Sequence, residues 1–187
     1  MYVLRSSAHF RVAEAERVGG KDPRASLDRA IADGTAALEK NPRHQAARRQ
    51  RGTAYARRGA AEQDHGADGL RWIELGLSDL DAVLEASPDD VDALWARGTA
   101  RLDLGDAEHA AGEGGAAWLR KAVEDYDAAL AKNAGLWGLW ADKGQAHEGL
   151  GEIEKAVEAY ERACKIVGDS VPHVKARLDA ARAKLPR

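Results

Sequence analysis

Apolar residues recur at helical spacing along almost the whole chain, and the breaks between stripes fall at glycine, proline and asparagine. Tyr2 to Val18 sets Val3, Phe10 and Val12 among alanines and stops at Gly19-Gly20, which predicts a first helix with a glycine-rich end. Lys21-Asp22-Pro23, read as N-cap plus N1 proline, opens a second, where Leu27, Ala30, Ile31, Gly34, Ala37 and Leu38 recur up to Asn41-Pro42. A third carries Ala46, Ala47, Ala54 and Tyr55 to about Asp64. After a turn at Gly66 to Gly69, Leu70, Ile73, Leu77, Leu80, Val83 and Leu84 mark a fourth that ends at Ser87-Pro88. The same scheme then predicts a helix from about Asp90, a turn at Gly112 to Gly115 and a helix from Ala117 to Lys132. Trp137 to Leu150 and Glu152 to Val167 form a shorter pair, and Pro172 opens a last helix with Val174, Leu178, Ala181 and Leu185 on one face. This is an all-α chain of about nine helices.

The stripes are copies of one another at an interval of 46 residues. Gly52, Gly98 and Gly144 fall on that interval, as do Ala54, Ala100 and Ala146, and Leu38, Leu84 and Leu130. Such a repeat predicts a stack of helix pairs with units at about 1–42, 43–88, 89–134 and 135–168, a capping helix at 170–185, and a single domain over 1–187. Met1 runs straight into helix-like sequence without an N-cap, so the expectation is a domain drawn from a longer protein.

WGLWADKGQAHEGLGEIEKAVEAYERACKI, with Trp140, Gly144, Ala146, Gly151, Ala156, Tyr160 and Ala163 in place, resembles a tetratricopeptide repeat, and the second and third units look like the same repeat. The resemblance implies a right-handed α-solenoid of antiparallel helix pairs whose first helices line a concave groove for a peptide or a partner protein. Three units depart from the usual length of about 34 residues by an excess between the two helices, which lengthens their hairpins. If both helices share the excess equally, each gains about 9 Å. Trp72 and Trp118 stand at matching places in these extensions and read as packing anchors. A second departure is that the place before the repeat glycine is basic: Arg51, Arg97 and Lys143. Asp33, Asp79 and Asp125 also recur at 46 and suggest ion pairs Arg51–Asp33, Arg97–Asp79 and Lys143–Asp125 that set register.

Charge and composition then remove whole classes of function. The formal net charge of -3, from 28 basic and 31 acidic residues, argues against a chain whose overall field gathers nucleic acid or anionic lipid. No apolar run suits a membrane span. The single cysteine, Cys164, excludes an internal disulfide, reads as a small apolar residue and, with no leader pattern, makes the cytoplasm the expected location. The six histidines form no metal-binding pattern and read as solvated or capping side chains; Gly112 to Gly115 lacks the lysine and hydroxyl of a phosphate loop. No catalytic triad, cofactor motif or metal set emerges, so the expectation is a non-enzymatic scaffold.

On the first helices the inward stripe is Val3, Ser7 and Phe10; Ala46, Arg49, Thr53 and Arg57; Asp92, Trp95, Thr99 and Leu102; Asp142, Gln145 and Glu148. Arg49, Trp95 and Gln145 are its strongest partner-binding candidates, since arginine and tryptophan dominate many binding surfaces. Arg43 to Arg58 carries six arginines and no acid, whereas Glu74 to Asp92 carries seven acids and no base, so the groove is expected to be basic at one end and acidic at the other. The clamp that holds chaperone tails in this family is missing, because its places hold Val3, Ser7, Gln50, Asp92 and Ala96. Two alternatives stay open: nucleic-acid binding through the arginine-rich helix 45–58, and self-association into a homo-oligomer.

Overall fold

The computed structural model describes residues 1–185, which form α1 (Tyr2–Val18), α2 (Arg24–Lys40), α3 (Gln45–Asp64), α4 (Leu70–Ala86), α5 (Val91–Ala110), α6 (Ala116–Lys132), α7 (Trp137–Gly149), α8 (Ile153–Val167) and α9 (Pro172–Ala183). The chain divides into two compact units, Met1–Pro88 and Asp89–Arg187, so the four repeats are grouped two and two. In the first unit, Leu27, Ala30 and Ile31 of α2 close over Ala13 of α1 and over Ala54 and Ala61 of α3, with Phe10, Tyr55 and Trp72 at the margin. In the second, Val157 and Tyr160 of α8 pack with Leu178 and Ala181 of α9, and Cys164 lies against this cluster as a small apolar side chain. No helix among the described residues is long and apolar enough to cross a membrane.

One device ends all four first helices. Gly20, Gly66, Gly112 and Gly151 take φ of +69°, +74°, +76° and +73°, and the next amide donates back to the carbonyl of Glu16, Glu62, Glu108 or His147 at 2.8–2.9 Å. This is the left-handed cap that closes a helix with its last carbonyls satisfied. The second helices stop differently: Asn41 and Ser87 are extended, at φ -144°, as a residue before proline must be. At the start of α2 the helix begins one residue later than expected, at Arg24, whose amide is capped by the Asp22 carboxylate at 3.0 Å.

The lengthened hairpins are lengthened unequally. α3 and α5 each have 20 residues against 13 in α7, whereas α4 and α6 have 17 against 15 in α8. The expectation of equal extension is therefore corrected: the first helix takes most of the excess. The reason is a close crossing that fixes where the second helix starts. A Cβ on Gly69 would lie 2.0 Å from the carbonyl oxygen of Gly59, and one on Gly115 would lie 2.1 Å from that of Gly105. Trp72 and Trp118 seal the two extensions. The Trp72 ring lies 5.9 Å from that of Tyr55, with the Arg58 guanidinium 5.1 Å above it, and the Trp118 indole donates to Glu108 at 2.8 Å.

Each of the first three hairpins is closed by an arginine of its first helix on a buried aspartate of its own second helix. Arg5 donates to Asp33 at 2.7 and 2.8 Å, Arg51 to Asp79 at 2.7 and 2.9 Å, and Arg97 to Asp125 at 2.6 to 3.2 Å. Arg101 adds a second donor to Asp125 at 2.7 Å. The three carboxylate side chains are only 7%, 8% and 4% exposed, and the Arg5 guanidinium holds the Asp33 carboxyl below its ordinary range against the effect of burial. This corrects the expected partners: Arg51 meets Asp79, while Asp33 serves Arg5, because each acid sits on the face of its helix turned into its own hairpin. Lys143 turns back to Asp127 of α6 at 2.5 Å instead of Asp125, since the place in α8 that would hold an acid in its own, shorter pair is Ala159.

Gly52, Gly98 and Gly144 lie where the partner helix comes closest. The Tyr126 and Tyr160 rings rest on Gly98 and Gly144, where an added Cβ would be 2.6 Å from ring carbon. Replacing Gly115 with alanine combines a left-handed φ with the clash against Gly105. Gly115→Ala is expected to lose at least about 2 kcal/mol in urea unfolding, against less than about 0.5 kcal/mol for Gly135→Ala, which meets only a side-chain oxygen at 3.3 Å.

Candidate functional site

The helical spacing that buries alanine and glycine on one side of each first helix leaves a polar stripe on another, and the structure ties these stripes together laterally. In the first unit the Gln50 amide of α3 donates to the Ser7 hydroxyl of α1 at 2.5 Å, and Arg57 of α3 lies 3.5 Å from Glu14 of α1. In the second unit the Trp95 indole of α5 donates to Asp142 of α7 at 2.7 Å, and the Gln145 amide of α7 donates to Asp106 of α5 at 2.7 Å. Trp95 with Asp142, and Gln145 with Asp106, thus form two inter-helix pairs.

Two roles expected from the sequence change accordingly. Trp95 does not hold its indole donor out for a ligand: the ring is half-buried and lies on Gly138, where a Cβ would be 2.6 Å from the ring, and its N–H is committed to Asp142. Leu102 is buried, at 3% exposure, and leaves the stripe. The Thr53 and Thr99 hydroxyls donate to the carbonyls of Arg49 and Trp95, at 2.9 and 3.0 Å, so they present acceptor lone pairs. Arg49 and Arg57 are half-buried and Asp92 is exposed. Sequence reading missed Gln50, Glu14 and Asp106 as parts of this surface. Their signal is faint but present: each sits roughly one repeat from its polar partner, on the neighbouring first helix.

The first unit's face carries Arg49, Arg57 and Glu14, the second's Asp92, Asp106, Asp142 and Glu148. Burial raises the Asp106 carboxyl above its ordinary range, with the Gln145 amide opposing. Burial also acts to raise Glu148, but the Tyr160 phenol at 2.6 Å and the Lys184 ammonium at 2.9 Å hold it below its ordinary value.

The arginine-rich helix α3 is far less basic than its sequence. Arg51 is taken by Asp79, Arg57 faces Glu14, and Arg58 is held by Asp28 at 2.8 Å and by Glu62. Acids from α1, α2 and α4, with Glu62 of α3 itself, therefore surround these cations. Of the histidines, His44 caps α3 by accepting from the Ala47 amide at 3.3 Å, and His147 is buried with Nδ1 2.7 Å from Glu152. Among the described residues no group of three side chains is placed to hold a metal ion. A cleft of about 560 Å³ opens beside Trp140 between Glu158, Arg162 and Ile166, away from the polar stripe.

Residues 138–166 match the model of the tetratricopeptide repeat family. A thermophilic tetratricopeptide-repeat protein of Thermus thermophilus, TTC0263, is 16% identical, with 95% of this chain covering 81% of that one at a TM-score of 0.63. The fold is that of tetratricopeptide-repeat proteins. MamA from Desulfovibrio magneticus is 14% identical, with 96% of this chain covering 90% of that one at a TM-score of 0.54, and MamA MSR-1 is 13% identical, with 97% covering 87% at 0.62. No curated protein sequence matches this chain. The 46-residue units are thus tetratricopeptide-like pairs with extended first helices, and the stripe described above occupies those first helices.

Burial holds His147 below its ordinary pKa, against the pull of Glu152. As pH falls below about 6.5 the unfolded chain takes up a proton that folded His147 refuses, so stability drops until the folded pKa is reached and is level below it. Urea unfolding from pH 5 to 8 is expected to show stability rising with pH in the intact chain and a flatter profile in His147→Asn. Parallel profiles would assign the dependence to other groups.

Proposed function

We propose that the protein is a non-catalytic interaction scaffold that holds a peptide or a partner protein against the polar faces of its first helices, the concave groove of this repeat family. The first unit's face, with Arg49, Arg57 and Thr53, suits an acidic stretch. The second unit's face, with Asp92, Asp142 and Thr99, suits a basic one. Trp95 and Gln145 act there as positioning residues: the Trp95 indole fixes one oxygen of Asp142, and the Gln145 amide does the same for Asp106.

The observation that carries this reading is the lateral network itself. Polar side chains on consecutive first helices are oriented by hydrogen bonds to one another before any partner arrives, and preorganisation of that kind lowers the entropic cost of binding. Arg51 and Arg58 of α3 are held by Asp79, Asp28 and Glu62, which weighs against nucleic acid, since that needs cations available to phosphate. A chain with one cysteine and no apolar span suits the cytoplasm.

The test is fluorescence anisotropy with two labelled dodecapeptides, one rich in Asp and Glu, one rich in Lys and Arg, and a single-stranded RNA at 150 mM salt as a third probe. Arg49→Ala/Arg57→Ala is expected to weaken the acidic peptide by about tenfold and leave the basic one unchanged, with Asp92→Asn/Asp142→Asn doing the reverse. Tight, steeply salt-dependent RNA binding, or peptides that ignore both double variants, would overturn the reading.

A further inference from the structure

The third and fourth repeats differ at one place on several sides at once. Aligned on the contacts Gly98–Tyr126 and Gly144–Tyr160, Trp140 stands where α5 has Leu94, Gly135 where the loop before α5 has Asp89, and Ile166 where α6 has Lys132. In the third repeat Leu94 is buried, at 5% exposure, and Lys132 reaches Asp89 at 2.7 Å, a bridge from the end of the second helix to the start of the first. In the fourth repeat neither end of that bridge survives. Gly135 has no side chain, Ile166 is 42% exposed, and the cleft of about 560 Å³ stands open beside Trp140. Two cations enter at the same place, since Arg162 and Lys165 replace Ala128 and Ala131 of α6.

The cleft has a wall suited to a ring and an edge suited to an anion. Trp140 is fixed by its indole N–H, which donates to the Ala134 carbonyl at 2.9 Å, and Ala134 and Ile166 complete the apolar wall. Lys143 lies 5.4 Å from the Trp140 ring with its charge taken by Asp127. Of the acids at the cleft, Glu161 accepts from Arg182 of α9 at 2.8 Å, and Glu158 meets Arg162 only at 3.6 Å. Arg162 is 58% exposed and lies 5.4 Å above the Trp140 ring. Lys165 lines the cleft with no ion-pair partner among the described residues. Arg162, Lys165 and Arg182 thus outweigh Glu158 and Glu161, and the unanswered charge is the lysine. Small-molecule sites occupy about 300 to 1,000 Å³ and combine an apolar wall with a few placed polar groups, as this cleft does.

We propose that the cleft binds a small aromatic acid, with the ring against Trp140 and Ile166 and the carboxylate on Lys165 and Arg162. An aromatic ring gains from the indole and the aliphatic wall, and a carboxylate gains charge-assisted hydrogen bonds from the two cations. A basic ligand would be set against the unpaired lysine, and a purely apolar one would leave it unanswered. The site is separate from the polar stripe, because Trp140 and Asp142 are two residues apart on α7 and face nearly opposite ways. It is built from α7, α8 and the loop before α7.

The probe is N-acetyl-phenylalanine, titrated into the full isotope-labelled chain and followed by NMR at the Trp140 indole N–H, whose resonance is assigned by its loss in Trp140→Phe. Saturation below about 10 mM is expected, with the uncharged N-acetyl-phenylalanine amide weaker by at least about fivefold. Lys165→Ala should weaken the acid by about fivefold. Gly135→Asp/Ile166→Lys, which installs the bridge of the third repeat, should weaken it by about tenfold or more. Arg49→Ala/Arg57→Ala on the polar stripe should leave it unchanged. Gly135, Lys165 and Ile166 are exposed, so circular dichroism melts of their variants should match the parent. Absence of a saturable shift overturns the proposal, as does an amide that binds as tightly as the acid. Binding that ignores both Lys165→Ala and the Gly135/Ile166 pair also overturns it, by placing the acid elsewhere on the chain.

Discussion

A buried carboxylate cannot stand alone, and three of them set the geometry of this chain. Asp33, Asp79 and Asp125 each lie inside a hairpin where an ionised acid would be strongly disfavoured without a donor fork, and each is met by the arginine of the first helix in its own pair. The pairing fixes the rotation of one helix against the other, because the fork reaches its acid in one register only. That register in turn sets glycine against backbone at the Gly59–Gly69 and Gly105–Gly115 crossings. The fourth pair, which lacks the acid, is also the short one, and its Lys143 pairs backwards with α6.

Once the hairpins are held, the division of labour around each first helix follows. In α3 and α7 one side is alanine and glycine, pressed to the second helix of its own pair and of the pair before. Another is polar and bonded sideways to the neighbouring first helix, which is the arrangement a partner-binding surface needs.

The fold was legible because the repeat is long and its punctuation is physical. Glycines that must take positive φ and prolines that must end helices recur at 46, so helix positions could be read to within a residue or two. What could not be read was partnership. Asp33 and Asp79 are equally good partners for Arg51 on spacing alone, and only the rotation of the second helix decides between them. The arginines of α3 look like a basic patch in one dimension because Glu14, Asp28 and Asp79, which neutralise them, lie on three other helices. Trp95 was legible as a large side chain on the right face, but its commitment to Asp142 depends on Gly138 letting the ring approach α7.

A pair of double-mutant cycles tests the central claim most directly. In urea unfolding, Arg51→Ala and Asp79→Ala should be non-additive by about 2 kcal/mol, while Arg51→Ala and Asp33→Ala should add to within about 0.5 kcal/mol. Coupling of Arg51 to Asp33 in place of Asp79, or additivity in both cycles, would contradict a hairpin register set by its own arginine and aspartate.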